Sequence, residues 1–134
     1  MISKNSKNTY FSFITLLIVT LWCSLSFAQE WKSVIKMGTG DEFYIDLKSK
    51  KQNNNNIIVT VLNDYGYPDP FNKSNSSIQD MAFDCKNMKF QLLNDKFFSK
   101  QMGKGVIIQS SNRPMPVMNM PKGSAYHLIS KLVC

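Results

Sequence analysis

The sequence is poor in the residues from which active sites are built. It contains one histidine, His127, and three cysteines, which form no C-x-x-C pair. Zinc sites and redox-active dithiols need clusters of such ligands, so the sequence argues against both. A catalytic triad would need a free hydroxyl beside the histidine, whereas Ser124 is expected to cap a helix. We therefore expect no enzymatic activity, no metal and no cofactor.

Acidic residues are also scarce, with nine Asp and Glu against 16 Lys and Arg, which gives a net charge of +7. Such an excess favours acidic partners or anionic surfaces but does not indicate a fold. Hydrophobic residues nonetheless make up 43% of the chain, so a packed core is available. The 134 residues suffice for one ordinary domain.

Long apolar runs are missing, apart from one near the start of the chain. Residues 11–25 are mostly apolar, but a membrane-spanning helix needs about 20 such residues. The run follows a basic start and ends in a small-x-small motif, which is the pattern of a secretory signal peptide. We predict a signal peptide over residues 1–28, cleavage between Ala28 and Gln29, and a mature domain over 29–134 without a transmembrane anchor.

Cleavage would leave two cysteines, Cys85 and Cys134, because Cys23 lies inside the signal peptide. Lipidation of Cys23 is not expected, since the bulky Trp22 precedes it where a lipoprotein signal has a small residue. An even pair of cysteines in an exported chain predicts a disulfide. We predict that Cys85 and Cys134 are joined, which would tie the end of the chain to a strand.

The mature chain predicts mostly β-strands. Residues 57–62 are dense in β-branched side chains and apolar on both faces, as expected of a central strand. The alternation of polar and apolar residues breaks at Leu92-Leu93, which predicts a bulge there. The predicted strands lie at residues 31–36, 42–46, 57–62, 78–85, 88–100 and 106–109.

Three segments predict connections rather than strands. Residues 48–56 are polar and end in four asparagines, so we predict a solvated, mobile loop. Residues 64–75 combine Gly and Pro with three aromatic residues, which either form a contact surface or fold back onto the core. Residues 110–121 contain three prolines and predict an irregular crossing.

The end of the chain changes to helical periodicity. Ser124 is a suitable N-cap, and apolar residues follow at positions 125, 128, 129, 132 and 133, on one face of a helix. His127 would lie on the opposite, exposed face. The sequence therefore predicts an α+β fold, an antiparallel sheet of about six strands with a C-terminal helix packed on it.

Basic and aromatic residues suggest a binding surface. The lysines lie between positions 86 and 104 and are interspersed with phenylalanines, and the aromatic loop adds Tyr65 and Tyr67. Such a surface suits an acidic glycan or an extracellular matrix protein, whereas export argues against nucleic acid. Alternatively, the lysines only solvate the sheet and protect its edges from aggregation. The lysines concerned are Lys86, Lys89, Lys96, Lys100 and Lys104.

The order of several short motifs resembles the surface-adhesin protein E family of Gram-negative bacteria. The resemblance covers residues 30–134 and ends in a terminal cysteine. Its motifs are Glu30-Trp31, Phe43-Tyr44-Ile45-Asp46, Asp84-Cys85, Gly103-Lys104-Gly105-Val106, Pro121-Lys122-Gly123-Ser124 and Val133-Cys134.

This resemblance implies a six-stranded sheet with a helix tethered by the two cysteines. It also implies a binding role, because the adhesins that give the family its name are surface lipoproteins that capture matrix proteins such as vitronectin and laminin. This chain lacks a convincing lipid-attachment motif. Two roles therefore stay open, an exported adhesin-like binding module and a periplasmic accessory protein that contacts another envelope component.

Overall fold

The computed structural model describes residues 29–134, in which the strands follow one another across a single antiparallel sheet. The spatial order is β1-β2-β3-β4-β5-β6, and a two-residue strand, β7, pairs with β5 beyond the end of β6. The strands are β1 (Trp31–Lys36), β2 (Glu42–Asn53), β3 (Asn56–Asp64), β4 (Ser76–Asp84), β5 (Lys89–Phe98), β6 (Ile107–Ser111) and β7 (Met118–Asn119), and the helix is α1 (Ala125–Val133).

The predicted fold class is therefore confirmed. The β-branched strand β3 lies between β2 and β4, away from both edges, as its composition predicts. The bulge is confirmed as well, because Asp80 pairs with Asn94 and Met81 with Leu92, which leaves Leu93 without a partner in the ladder. The predicted signal peptide falls on residues 1–28, outside the described residues, and stays a prediction.

The prediction of a mobile loop over residues 48–56 is wrong. β2 continues to Asn53, and only a tight turn with Asn54 at φ 53° separates it from β3. The Ser49 hydroxyl takes the place of a ladder partner, since it accepts from the Thr60 N–H at 2.7 Å and donates to the Asp46 carbonyl at 2.6 Å. Polar residues suit this hairpin because its far part is exposed on both faces.

The predicted strand at 106–109 is displaced, since β6 covers Ile107–Ser111. The proline-rich crossing that follows is irregular as predicted, except at β7. There the Met120 N–H donates to the Met88 carbonyl at 3.0 Å, and the Met120 side chain is buried. The crossing thus runs along β5 and brings the chain to the start of α1.

The core lies between one face of the sheet and α1. Alternate residues of a strand point to the same face, so in β2 the buried Phe43 and Ile45 flank a less buried residue, and in β5 the same holds for Phe90 and Leu92. Tyr126 of α1 stacks on Phe90, with ring centroids 4.4 Å apart, and meets Phe43 edge-on at 6.1 Å. The buried apolar members include Ile45, Val59, Val61, Met81, Phe83, Phe90, Ile129 and Val133.

The predicted helix face is wrong at Leu132 and omits Tyr126. Leu132 is exposed and Tyr126 is packed in the core, so the buried stripe is rotated towards Tyr126 and Ser130. Stacking on Phe90 favours this rotation, and it costs little because the buried Ser130 hydroxyl donates to the His127 carbonyl at 2.7 Å. Ser124 caps the helix as predicted, accepting from the His127 N–H.

A disulfide joins Cys85, directly after β4, to Cys134, directly after α1, and their Cα atoms lie 5.8 Å apart. The predicted pairing is confirmed. The bond closes the chain over 49 positions and holds the C-terminal end of α1 at the β4–β5 turn. Over residues 29–134, no helix is long and apolar enough to cross a membrane.

Candidate functional site

Antiparallel pairing of consecutive strands places the connections alternately at the two ends of the sheet. One end, the loop end, collects the connections at residues 37–41, 65–75 and 99–106. The opposite end, the turn end, has the tight connections at residues 54–55 and 85–88 together with the disulfide. Loops with room for recognition therefore lie together at the loop end.

Hydrogen bonds fix the three connections of the loop end against one another. The Gly66 N–H donates to Asp41 Oδ1 at 2.9 Å, which joins the first connection to the second. The Met102 N–H donates to Asp64 Oδ1 at 2.7 Å, and Asn75 Nδ2 donates to the Ser99 carbonyl at 2.7 Å. These bonds hold the third connection beside the second, so the loop end is one structural unit.

The connection at 65–75 holds two aromatic side chains in solvent. Tyr67 is 80% exposed and Phe71 is 93% exposed. Between them, Asp69 turns inward, and its Oδ1 accepts from the N–H groups of Phe71 at 2.9 Å and Asn72 at 3.1 Å. Because these bonds fix the backbone, the exposure of the two rings is a property of a folded loop.

The candidate Tyr65 differs from its neighbour Tyr67. Its side chain is half-buried, and burial raises the pKa of its phenol above the ordinary value. Of the two outcomes open for the aromatic loop, the structure therefore shows both, since Tyr65 packs inward while Tyr67 and Phe71 project outward. Tyr65 supports the loop, and Tyr67 is available for contact.

All five candidate lysines are exposed, but the structure does not bring them together. Lys86 and Lys89 lie at the turn end, whereas Lys100 and Lys104 lie at the loop end and Lys96 is near it. From Lys89 to Lys96 the strand β5 rises roughly 23 Å at about 3.3 Å per residue. The predicted set therefore splits into two groups.

The surroundings of the two groups differ in charge. Lys89 lies opposite Asp84 in the β4–β5 ladder, so part of its charge is balanced there. Hydrogen bonds from Asn87, and more weakly the Lys89 charge, hold the pKa of the Asp84 carboxyl below its ordinary value. Over residues 29–134, the one ion pair within 4 Å joins Lys48 to Glu30, so the lysines of the loop end have no carboxylate in direct contact.

The loop end also contains a lysine that the sequence analysis missed. Lys73 is exposed in the same connection as Tyr67 and Phe71, with a left-handed backbone at φ 62°. Its proximity in sequence to the aromatic residues was the available signal. A shallow depression of about 330 Å³ lies at the loop end, with Thr39, Asp41, Tyr67 and Pro70 in its lining.

Ser124 and His127, the pair considered as nucleophile and base, make hydrogen bonds to the backbone at the start of α1. The Ser124 hydroxyl donates to the Pro121 carbonyl at 2.7 Å, and His127 Nδ1 accepts from the Gly123 N–H at 2.9 Å. Both groups are therefore used in forming the start of α1. Over residues 29–134, no group of three His, Cys, Asp or Glu side chains is placed to hold a metal ion.

Substitution of Gly66 is expected to disrupt the loop end. A Cβ there would lie 2.6 Å from the Thr39 carbonyl oxygen and 2.8 Å from backbone atoms of Gly40, so the two connections would have to separate. We expect Gly66→Ala to lower the free energy of unfolding by about 1–3 kcal/mol, as overpacking does. Urea denaturation measures this, with Gly38→Ala as the control because nothing lies within 4 Å of a Cβ at that position. Equal stability of the two variants would contradict the close approach.

Comparison with known proteins gives a family and a fold. The family model described as surface-adhesin protein E matches residues 31–134. A structure of Haemophilus influenzae protein E superimposes with a TM-score of 0.59 at 15% identity, covering 78% of this chain and 83% of that one. A second crystal form gives 0.58 at 16% identity, covering 78% and 86%. Protein E from non-typeable Haemophilus influenzae gives 0.52 at 16% identity, covering 82% and 78%. No curated protein matches the chain.

Proposed function

The chain belongs to the surface-adhesin protein E family, and from this premise we propose that it is an exported, non-enzymatic binding module whose loop end contacts host matrix proteins or acidic glycans. The observation that carries the proposal is the pair of exposed rings, Tyr67 and Phe71, on a hydrogen-bonded loop beside three lysines. Those lysines are Lys73, Lys100 and Lys104. Family membership favours a binding role but does not identify the partner.

The arrangement suits a partner that is flat in places and negatively charged. Aromatic side chains provide large contact areas at a small cost in side-chain entropy, and they dominate many binding surfaces. Because the loop backbone is already fixed by Asp69, little further ordering is needed on binding. Lysines around the rings would pair with sulfates or carboxylates, and this contribution weakens as salt is added.

The test compares two groups of substitutions that make similar changes at the two ends of the sheet. The loop-end variant is Lys73→Gln/Lys100→Gln/Lys104→Gln, and the turn-end control is Lys86→Gln/Lys89→Gln. We expect the loop-end variant to bind immobilised heparin, vitronectin or laminin about tenfold more weakly and the control to bind nearly as well as the unchanged protein. Equal losses in both variants would contradict the assignment to the loop end.

The aromatic residues are tested separately from the charge. Tyr67→Ser/Phe71→Ser leaves every lysine in place, so any loss of binding comes from the rings alone. We expect a loss of at least about tenfold here as well, which corresponds to about 1.4 kcal/mol, because aromatic residues are enriched among the few interface residues that carry most of the binding energy. If this variant binds as well as the unchanged protein, the two rings do not contribute and the binding surface is purely electrostatic.

Contact with host molecules also requires that the domain be outside the outer membrane. We expect protease added to intact cells to cleave it. Protection until the outer membrane is permeabilised would contradict the host-binding role and favour the periplasmic accessory role instead. This experiment needs no knowledge of the partner.

A further inference from the structure

Methionines are concentrated where the proline-rich crossing meets the β4–β5 turn. Met115, Met118 and Met120 lie on the crossing in the spacing Met-x-x-Met-x-Met, and Met88 ends the turn. The β5–β7 pair brings the two segments together, because Met118 lies opposite Phe90 and the Met120 N–H donates to the Met88 carbonyl at 3.0 Å. Four of the eight methionines of the chain therefore lie in one small region.

Three of these side chains lie on the helix side of the sheet. Met120 is 5% exposed and belongs to the core, and Met88 is half-buried and packs against that core. Met118 pairs with the core residue Phe90, and residues opposite each other in a ladder point to the same face. Met118 is nevertheless 37% exposed. The group thus combines a buried thioether side chain with one that a solute can reach.

Local backbone chemistry does not explain the methionine at position 88. The φ of Met88 is 54°, in the left-handed region that favours Gly or Asn. The side chain, which packs on the core beside the crossing, therefore accounts for a methionine at this position rather than the geometry of the turn.

We propose that Met88, Met118 and Met120 bind one Cu(I) ion. The expectation of no metal rested on histidine, cysteine and carboxylate ligands, whereas thioether sulfur is a softer ligand that suits Cu(I). A thiolate would compete for the ion, but Cys85 and Cys134 are joined in a disulfide. The methionines are therefore the softest donors in the described part of the chain. The site lies at the turn end, and the inference goes beyond the proposed function.

A monovalent ion suits these surroundings. The cost of moving an ion out of water rises steeply with its charge, so a partly apolar site tolerates Cu(I) better than a divalent ion. Lys89 follows Met88 in the sequence, but it alternates with the buried Phe90 and lies opposite Asp84 in the β4–β5 ladder. The lysine charge therefore lies on the other face of the sheet from the three methionines.

The test titrates the folded protein with Cu(I), kept reduced by ascorbate, against a coloured Cu(I) chelator. We expect the protein to withdraw one Cu(I) from the chelator and to leave Zn²⁺ unbound, because Zn²⁺ takes thiolate, imidazole or carboxylate ligands. Met88→Leu and Met118→Leu should each weaken Cu(I) binding at least about tenfold, and the double variant should abolish it. Leucine has a similar volume and is apolar, so the fold should be retained.

The matched control is Met37→Leu/Met102→Leu, which removes two thioethers from the loop end and should bind Cu(I) as the unchanged protein does. Isotope-labelled methionine methyl groups identify the ligands by nuclear magnetic resonance, with Ag(I) as the redox-inert analogue of Cu(I). The signals of Met88, Met118 and Met120 should shift. Capture of no Cu(I), equal losses in the double variant and the control, or shifts confined to other methionines would overturn the proposal.

Discussion

Replacement of either Cys85 or Cys134 by serine is expected to lower the melting temperature by roughly 15–30 °C. The bond closes a loop over 49 positions, and a loop of that length restricts the unfolded chain by about 4 kcal/mol in the chain-entropy model. A domain of this size loses about 4–8 °C per kcal/mol. Circular dichroism melts under non-oxidising and non-reducing conditions measure the change.

The control for the disulfide is chemical. A reductant should lower the melting temperature of the unchanged protein to that of the serine variants and should leave Cys85→Ser/Cys134→Ser unaffected. Equal melting of the unchanged protein and both single variants would mean that α1 is held by packing alone.

Phe83→Ala is expected to lower the free energy of unfolding by about 3–5 kcal/mol, because it removes a large buried side chain and leaves a cavity. Phe83 is 0% exposed and belongs to the core beneath α1. Phe71→Ala is the matched control, since the same atoms are removed from a side chain that is 93% exposed. We expect this control to change stability by less than about 0.5 kcal/mol.

Chemical denaturation of the two phenylalanine variants gives both values in one experiment. Similar losses would show that Phe71 packs against the protein in solution and would weaken the role proposed for it. A small loss in Phe83→Ala would contradict the assignment of the core to this face of the sheet.

Much of the fold could be predicted because local chemistry and the fold agree. The β-branched run in β3, the break in alternation at Leu93 and the cap at Ser124 each have a local cause, and the structure has each of them. The helix face was less predictable, because Leu132 and Tyr126 compete for the core. The partner ring of Phe90 decides between them, and it is distant in sequence.

The candidate site was also harder to predict, because it depends on which residues distant in sequence the fold brings together. Lys89 and Lys96 lie seven positions apart in the sequence, yet an extended strand separates them along most of its length. Lys73, by contrast, is far from Lys104 in sequence but lies at the same end of the sheet. Lysines that are close in sequence are therefore separated in space when they lie along an extended strand.

The up-and-down order of the strands has a consequence for folding. Every strand of the main ladder pairs with its neighbour in sequence, so the sheet can grow by adding hairpins of low contact order. The contacts of α1 with β1 and β2 join the parts of the described chain that lie farthest apart in sequence. The largest cost of loop closure therefore falls on a single docking step. The same step brings Cys134, directly after α1, to Cys85 at the β4–β5 turn, so docking of the helix and closure of the disulfide complete the domain together.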